Sequence, residues 1–314
     1  MNTRHLVDPE LLPLIDLLPE NAFTREALPT IRIESEGRFA FVGAPPIAAE
    51  VKVIAGEGGP LEVYWYDPAP GTKGRAALLH VHGGGMVIGS ARSMQQGPSG
   101  IAAALGIPVA SVEYRLAPEH PFPAPQQDCY AALKWLAASA DELGIDPARI
   151  GITGESAGGG LAAATALMAR DLGGPALAAQ ILTYPMLDHR SGSDPCPYGN
   201  PTTGEFVWTR AHNRFGWEAL RGDYAADDAH KGWFSPSLAE DLAGLPPTWI
   251  GTGSLDLFLD EDLDYALRLV KAGVPVELHS YPGAIHAFNA VTEAAAAKAF
   301  TRDLLSAIAR MLKV

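Results

Sequence analysis

Between an apolar run holding Ile150 and Ile152 and a stretch rich in Ala, Gly and Leu, the chain reads Gly154-Glu155-Ser156-Ala157-Gly158. This is G-x-S-x-G in the context it requires: strand, sharp turn, helix. Such a turn holds its serine in a strained backbone conformation, and a Cβ at Gly154 or Gly158 would strike neighbouring backbone. The pattern predicts that Ser156 stands at a strand end as a nucleophile for acyl transfer. The pentapeptide also arises by chance in ordinary turns, so its flanking elements carry the argument.

Upstream, an apolar run ending in His80-Val81 is followed by His82-Gly83-Gly84-Gly85-Met86. Glycines after a strand leave backbone N–H groups unhindered, as the oxyanion of an acyl-transfer intermediate requires. Gly84 and Gly85 are the candidate donors, with the N–H of Ala157 as a third; each is worth about 3 kcal/mol of transition-state stabilisation. A surface turn or a phosphate cradle would use similar residues, but neither Lys-Ser/Thr nor G-x-G-x-x-G follows. His82 and Gly83 are expected to shape this loop, as Gly154, Glu155 and Gly158 shape the turn around the serine.

A hydroxyl needs a base and the base needs an orienting acid. After Ser156, Asp256 follows the apolar run Thr248 to Thr252, and His286 follows the run ending near Ser280. Both fall on loops after strands, where open α/β sheets place their chemistry. His279 lies within a strand, which leaves His286 as the base. Asp260 competes with Asp256, but Asp260, Glu261, Asp262 and Asp264 crowd a helix start, where acids are expected to complement the macrodipole.

The elements that must position these groups alternate. Strands are expected at Ala76 to Val81, Pro108 to Glu113, Arg149 to Thr153, Ala178 to Tyr184, Thr248 to Thr252 and Pro275 to Ser280. Helices are expected at Pro125 to Ala140, Ala157 to Asp171, Glu261 to Ala272 and Val291 to Leu312. This is an α/β chain with a mostly parallel central sheet flanked by helices. Glu50 to Ile54 and Glu62 to Tyr66 alternate polar and apolar residues, as half-exposed antiparallel edge strands do. Residues 1–45 and 188–232 break the alternation, and 188–232, a long insertion between two core strands, reads as a lid or cap.

The 314 residues carry 23 Lys+Arg against 36 Asp+Glu, a formal net charge of -13, which argues against nucleic acid as a partner. The two cysteines, Cys129 and Cys196, show no metal-ligand or redox spacing, so no metal site is expected. Met1 to Asn21 is broken by acids and lacks the form of a signal peptide. With no uninterrupted apolar run of about 18 residues, a membrane span is not expected and a cytoplasmic location is. Self-association stays open.

The chain resembles the hormone-sensitive-lipase-like branch of the α/β-hydrolases, which includes many bacterial carboxylesterases. The likeness runs from about residue 75 to the C-terminus. It rests on His82 to Gly85, on the segment Tyr114-Arg115-Leu116-Ala117-Pro118-Glu119-His120-Pro121-Phe122-Pro123-Ala124, on the Gly154 to Gly158 turn, on Leu245-Pro246-Pro247, and on the surroundings of Asp256 and His286. It implies an α/β-hydrolase fold in which residues 1–45 and 188–232 form a mostly helical cap over a catalytic domain of 46–187 and 233–314, and a Ser156, Asp256, His286 triad. It also implies an oxyanion hole from Gly84, Gly85 and Ala157, structural ion pairs for Arg115 and Glu119, and no cofactor. The implied substrate is a small-molecule ester, with short acyl chains preferred under a closed cap. Phe206, Trp208, Phe215, Trp217, Trp233, Phe234 and Phe288 are each pocket or packing candidates. Three departures stand out: Glu155 where Asp is usual, Leu257 and Leu259 for Pro and Arg, and Ala287 for Gly. An amidase, lactonase or arylformamidase would use the same triad, and a non-catalytic receptor would share the fold.

Overall fold

In a computed structural model of the chain, residues 2–17, 22–40 and 43–314 are described, so part of the expected 1–45 cap segment lies outside them. Among the described residues the strands are β1 (Glu50–Gly56), β2 (Gly59–Tyr66), β3 (Arg75–Val81), β4 (Val109–Val112), β5 (Ile145–Glu155), β6 (Ala179–Thr183), β7 (Thr248–Gly253) and β8 (Val276–Tyr281). They form one sheet in the order β1-β2-β4-β3-β5-β6-β7-β8. Only β2 runs antiparallel to its neighbours, β1 and β4; β4, β3, β5, β6, β7 and β8 are parallel throughout.

The helices are α1 (Leu12–Leu17), α2 (Leu28–Ala40), α3 (Gln96–Leu105), α4 (Ala124–Ala138), α5 (Ala140–Leu143), α6 (Ala157–Asp171), α7 (Arg210–Arg221), α8 (Lys231–Phe234), α9 (Leu259–Lys271) and α10 (Ala295–Leu312). The sheet is buried on both faces, so a central strand feeds two cores. In β3, Ala77, Leu79 and Val81 belong to a core shared with residues of α4, α6 and α9, while Ala76 and Leu78 belong to a second core shared with residues of α3 and α10. This period-two division explains why β3 reads as unbroken apolar sequence. The edge strand β1 alternates instead: Ile54 is buried while Val51 and Val53 are exposed.

Two differences from the sequence reading have local causes. Helix α3 forms despite Gly97, Pro98 and Gly100, because Pro98 sits in the first turn, where its missing N–H has no partner to lose, and Ile101 and Ala102 are buried. Helix α10 starts four residues later than Val291, which closes a 3-10 turn over Phe288–Ala290.

Helices α1 and α2 lie in the first 45 residues, and α7 lies in the 188–232 insertion. These distant segments touch. Phe23 packs edge-on against Trp208 at 5.7 Å and Phe215 at 5.9 Å, and lies 4.7 Å from the ring of His212. Glu205 accepts hydrogen bonds from both the N–H and the hydroxyl of Thr3, each 2.6 Å. Among the described residues no helix is long and apolar enough to cross a membrane.

Candidate active site

Ser156 follows β5 directly and caps α6 with φ 57° and ψ −121°, in the positive-φ region that side chains avoid. The surroundings hold it there. Its N–H donates to the Thr183 carbonyl at 2.9 Å, and its own carbonyl accepts from Gly160 at 3.0 Å and Met186 at 2.9 Å. The glycine requirement is steric: a Cβ on Gly154 would lie 2.3 Å from the Gly158 carbonyl oxygen, and one on Gly158 would lie 2.1 Å from the Val81 carbonyl oxygen. Both are collisions with backbone, which cannot step aside.

The glycine loop sits on this turn. A Cβ on Gly83 would meet the Glu155 carbonyl oxygen at 3.0 Å and the Ser156 Cβ at 3.5 Å. Gly84 and Gly85 take φ of 115° and 60°, so their N–H groups belong to neither strand nor helix. The Ala157 N–H is in the first turn of α6, where a helix offers it no internal acceptor. His82 is fully buried, donates from Nδ1 to the Gly83 carbonyl at 2.8 Å, and stacks on Tyr114 at 4.1 Å. Burial depresses its pKa to about 4, so it is a neutral support for the loop. The Tyr114 hydroxyl donates to the His82 carbonyl at 2.9 Å.

Asp256 and His286 arrive on loops after β7 and β8. The imidazole Nε2 is 2.9 Å from the Ser156 hydroxyl, and Nδ1 is 2.8 Å from Asp256 Oδ2. The carboxylate can only accept, so Nδ1 carries the proton and Nε2 accepts from the serine. The other Asp256 oxygen accepts the Phe258 N–H at 3.0 Å. Asp256 is wholly buried, and Ser156 and His286 are each 5% exposed. Tyr184 and Phe258 flank the imidazole edge-on, at 4.7 and 5.3 Å. Asp260, the competing acid, interacts with Asn200 and Arg210 instead.

The departures from the family pattern find their places. Glu155 faces His80, whose Nε2 is 3.1 Å from Oε2 and whose Nδ1 is 2.8 Å from the Ser111 hydroxyl. Ala287 takes φ 58° and ψ 23°, where glycine would be free of the roughly 1–2 kcal/mol that a side chain costs. Leu257 fills the space beside Gly204, where a Cβ would lie 2.6 Å from its Cδ1. Arg115 pairs with Asp128 through Nε and Nη2, both at 2.8 Å.

Of the aromatics, Trp208 lies over the glycine loop: a Cβ on Gly85 would fall 2.1 Å from its Cη2, and its ring is 6.4 Å from the imidazole. Its Nε1 donates to Asn213 at 3.1 Å. Trp217 and Phe234 pack into the main core, and Trp233 donates outward to Asp171 at 2.8 Å. Phe23 and Arg32, which carry no motif in the sequence, also lie near the site. Glu261 and Asp262 are fully buried rather than placed at the surface to offset the helix dipole. Glu261 accepts from the N–H groups of Leu187 at 2.7 Å and Asp188 at 3.2 Å, and from the Ser191 hydroxyl. Burial, reinforced by Asp188, pushes its carboxyl well above the usual range. Among the described residues no three His, Cys, Asp or Glu side chains gather as a metal site.

Comparison with known proteins places the chain in a family. Residues 78–290 match a family model described as alpha/beta hydrolase fold. Esterase LipI of Mycobacterium tuberculosis is 33% identical over 291 residues, covering 90% of this chain and 88% of that protein. Carboxylesterase NlhH of Mycobacterium tuberculosis is 33% identical over 325 residues, covering 95% and 94%. The structure of a bacterial heroin esterase superposes with a TM-score of 0.89 at 38% identity, covering 99% of both chains. With a match across both the serine turn and the base loop, and relatives similar over almost the whole length, the chain belongs to the alpha/beta hydrolase family.

Proposed function

We propose that this carboxylic ester hydrolase cleaves short-to-medium acyl esters through a Ser156-His286-Asp256 triad and an acyl-enzyme. The observation that carries the reading is the unbroken line from Asp256 Oδ2 through the imidazole to the Ser156 hydroxyl, 2.8 and 2.9 Å. As Ser156 attacks the ester carbonyl, His286 takes its proton, and Asp256 stabilises the imidazolium. The carbonyl oxygen gains charge against the N–H groups of Gly84, Gly85 and Ala157. His286 then returns the proton to the leaving alcohol, and water repeats the sequence on the acyl-serine. These steps use no metal or organic cofactor.

Residues 1–45 and 188–232 act as a cap over this site. Support comes from the contact of Phe23, in the first segment, with Trp208, in the second, whose ring tip lies against Gly85; a ring in that place would stop a long acyl chain. The test is labelling with a fluorophosphonate followed by peptide mapping. Modification of Ser156 and its loss in Ser156→Ala are expected; a folded wild-type protein that stays unlabelled would favour the receptor reading. A matched ester and amide pair separates an esterase from an amidase.

A further inference from the structure

The glycine loop makes an unusual run of backbone: Gly84, Gly85 and Met86 all have positive φ, at 115°, 60° and 65°. The two glycines adopt it freely, but Met86 bears a side chain in a conformation that only surrounding contacts can maintain. Inside the turn, the N–H groups of Val87 and Ile88 both donate to the Gly84 carbonyl, at 3.0 and 2.9 Å. From outside, the Ala117 N–H donates to the Met86 carbonyl at 2.9 Å.

Further support comes from far away in sequence. Arg32, on α2, donates from Nε to the Val87 carbonyl at 2.8 Å and from Nη2 to the Ala117 carbonyl at 2.9 Å. Its Nη1 and Nη2 also grip both oxygens of Glu119, each at 2.8 Å. That bidentate pair fixes the plane of the guanidinium, and holds the Glu119 carboxyl below its usual pKa. Arg32 therefore joins the two segments that must keep their spacing for the strained turn to persist: 84–88 and 117–119.

We propose that Arg32 is a positioning residue for the oxyanion hole, through which the N-terminal segment sets the direction of the Gly84 and Gly85 N–H groups. The inference rests on the role proposed above for those groups. Donors aimed at the oxyanion act in the transition state, so misdirecting them lowers kcat more than it raises KM. Ordinary packing by the same arginine would reduce the amount of folded enzyme without altering each active site.

The experiment compares wild type, Arg32→Met and Arg32→Lys on a short aryl ester, with rates normalised to active sites titrated by fluorophosphonate. An aryl trifluoromethyl ketone, which forms a tetrahedral adduct with serine, is the second probe. In Arg32→Met, kcat per titrated site should fall between about ten- and a hundredfold, KM should stay within twofold, and ketone affinity should fall in step with kcat. Arg32→Lys, which cannot span Val87, Ala117 and Glu119 together, should fall between the two. If Arg32→Met does not fold, the same readings on Arg32→Lys decide. A kcat per site within twofold of wild type, or a loss confined to KM, would overturn the inference. Failure of the parent reading looks different: the wild type itself would neither label nor bind the ketone.

Discussion

The sharpest quantitative consequence concerns Trp208. Replacing it by alanine removes an indole whose tip lies against Gly85 and whose ring is 6.4 Å from the imidazole. If this ring ends the acyl pocket, its loss opens a dry slot where additional methylenes can be buried. Each gains about 0.8 kcal/mol, roughly fourfold in kcat/KM. A chain longer by four methylenes gains about 3 kcal/mol, roughly 200-fold relative to its disadvantage in the wild type. The same change strips Asn213 of its indole donor and leaves a cavity, so a stability loss of about 3–5 kcal/mol is expected. The assay is kcat/KM for aryl esters from acetate to decanoate, at a temperature where the variant is folded, with Trp208→Leu as a milder control. An unchanged ratio of long-chain to short-chain activity would refute the reasoning, as would an equal loss at every length.

Other expectations follow from the same coordinates. Gly158→Ala looks favourable on helix propensity alone, yet its Cβ would lie 2.1 Å from the Val81 carbonyl oxygen and 2.5 Å from that of His82. A loss of about 3 kcal/mol in urea unfolding, together with loss of esterase activity, is expected. Asp256→Asn should lower kcat on the order of ten-thousandfold at neutral pH, because the amide no longer selects the tautomer that accepts from Ser156; steady-state kinetics on a short ester checks this. For pH, burial holds His82 down to about 4 from 6.5, so the folded state keeps it neutral while the unfolded chain protonates. The sign is fixed: this contribution is complete above about pH 6.5 and is lost as pH falls towards 4, up to about 3 kcal/mol. Urea titrations at a series of pH values should show that slope, and His82→Gln should flatten it; identical slopes would exclude His82 as its source.

What could be read from sequence was what local chemistry compels. The serine turn demands glycines at fixed offsets because backbone meets backbone there, and the strand–turn–helix context is local too. Asp256 and His286 were legible through their order in the chain and their places after strands. Arg32 was not: its partners lie 55 to 87 residues away, and one arginine on a short helix gives no sign of them. Glu261 was misread for a related reason. An acid in the first turn of a helix usually faces water, and only the path of the chain after β6 reveals that it meets Leu187, Asp188 and Ser191. Phe23 and Trp208 meet only once the two irregular segments fold together, and neither segment has a periodicity that announces its partner.

The base of the proposed triad hangs from an edge strand of the sheet. Among the described residues β8 pairs with β7 alone, and His286 follows it by a short loop that is tied to Ser254 and Asp8 through Gly283. Ser156, by contrast, springs from β5, which is flanked by β3 and β6. Heat should loosen the margin before the middle, withdrawing the imidazole while most of the hydrogen-bonded framework is intact. Warming would then silence hydrolysis several degrees ahead of the collapse in circular dichroism, and cooling would restore it without any refolding of the interior.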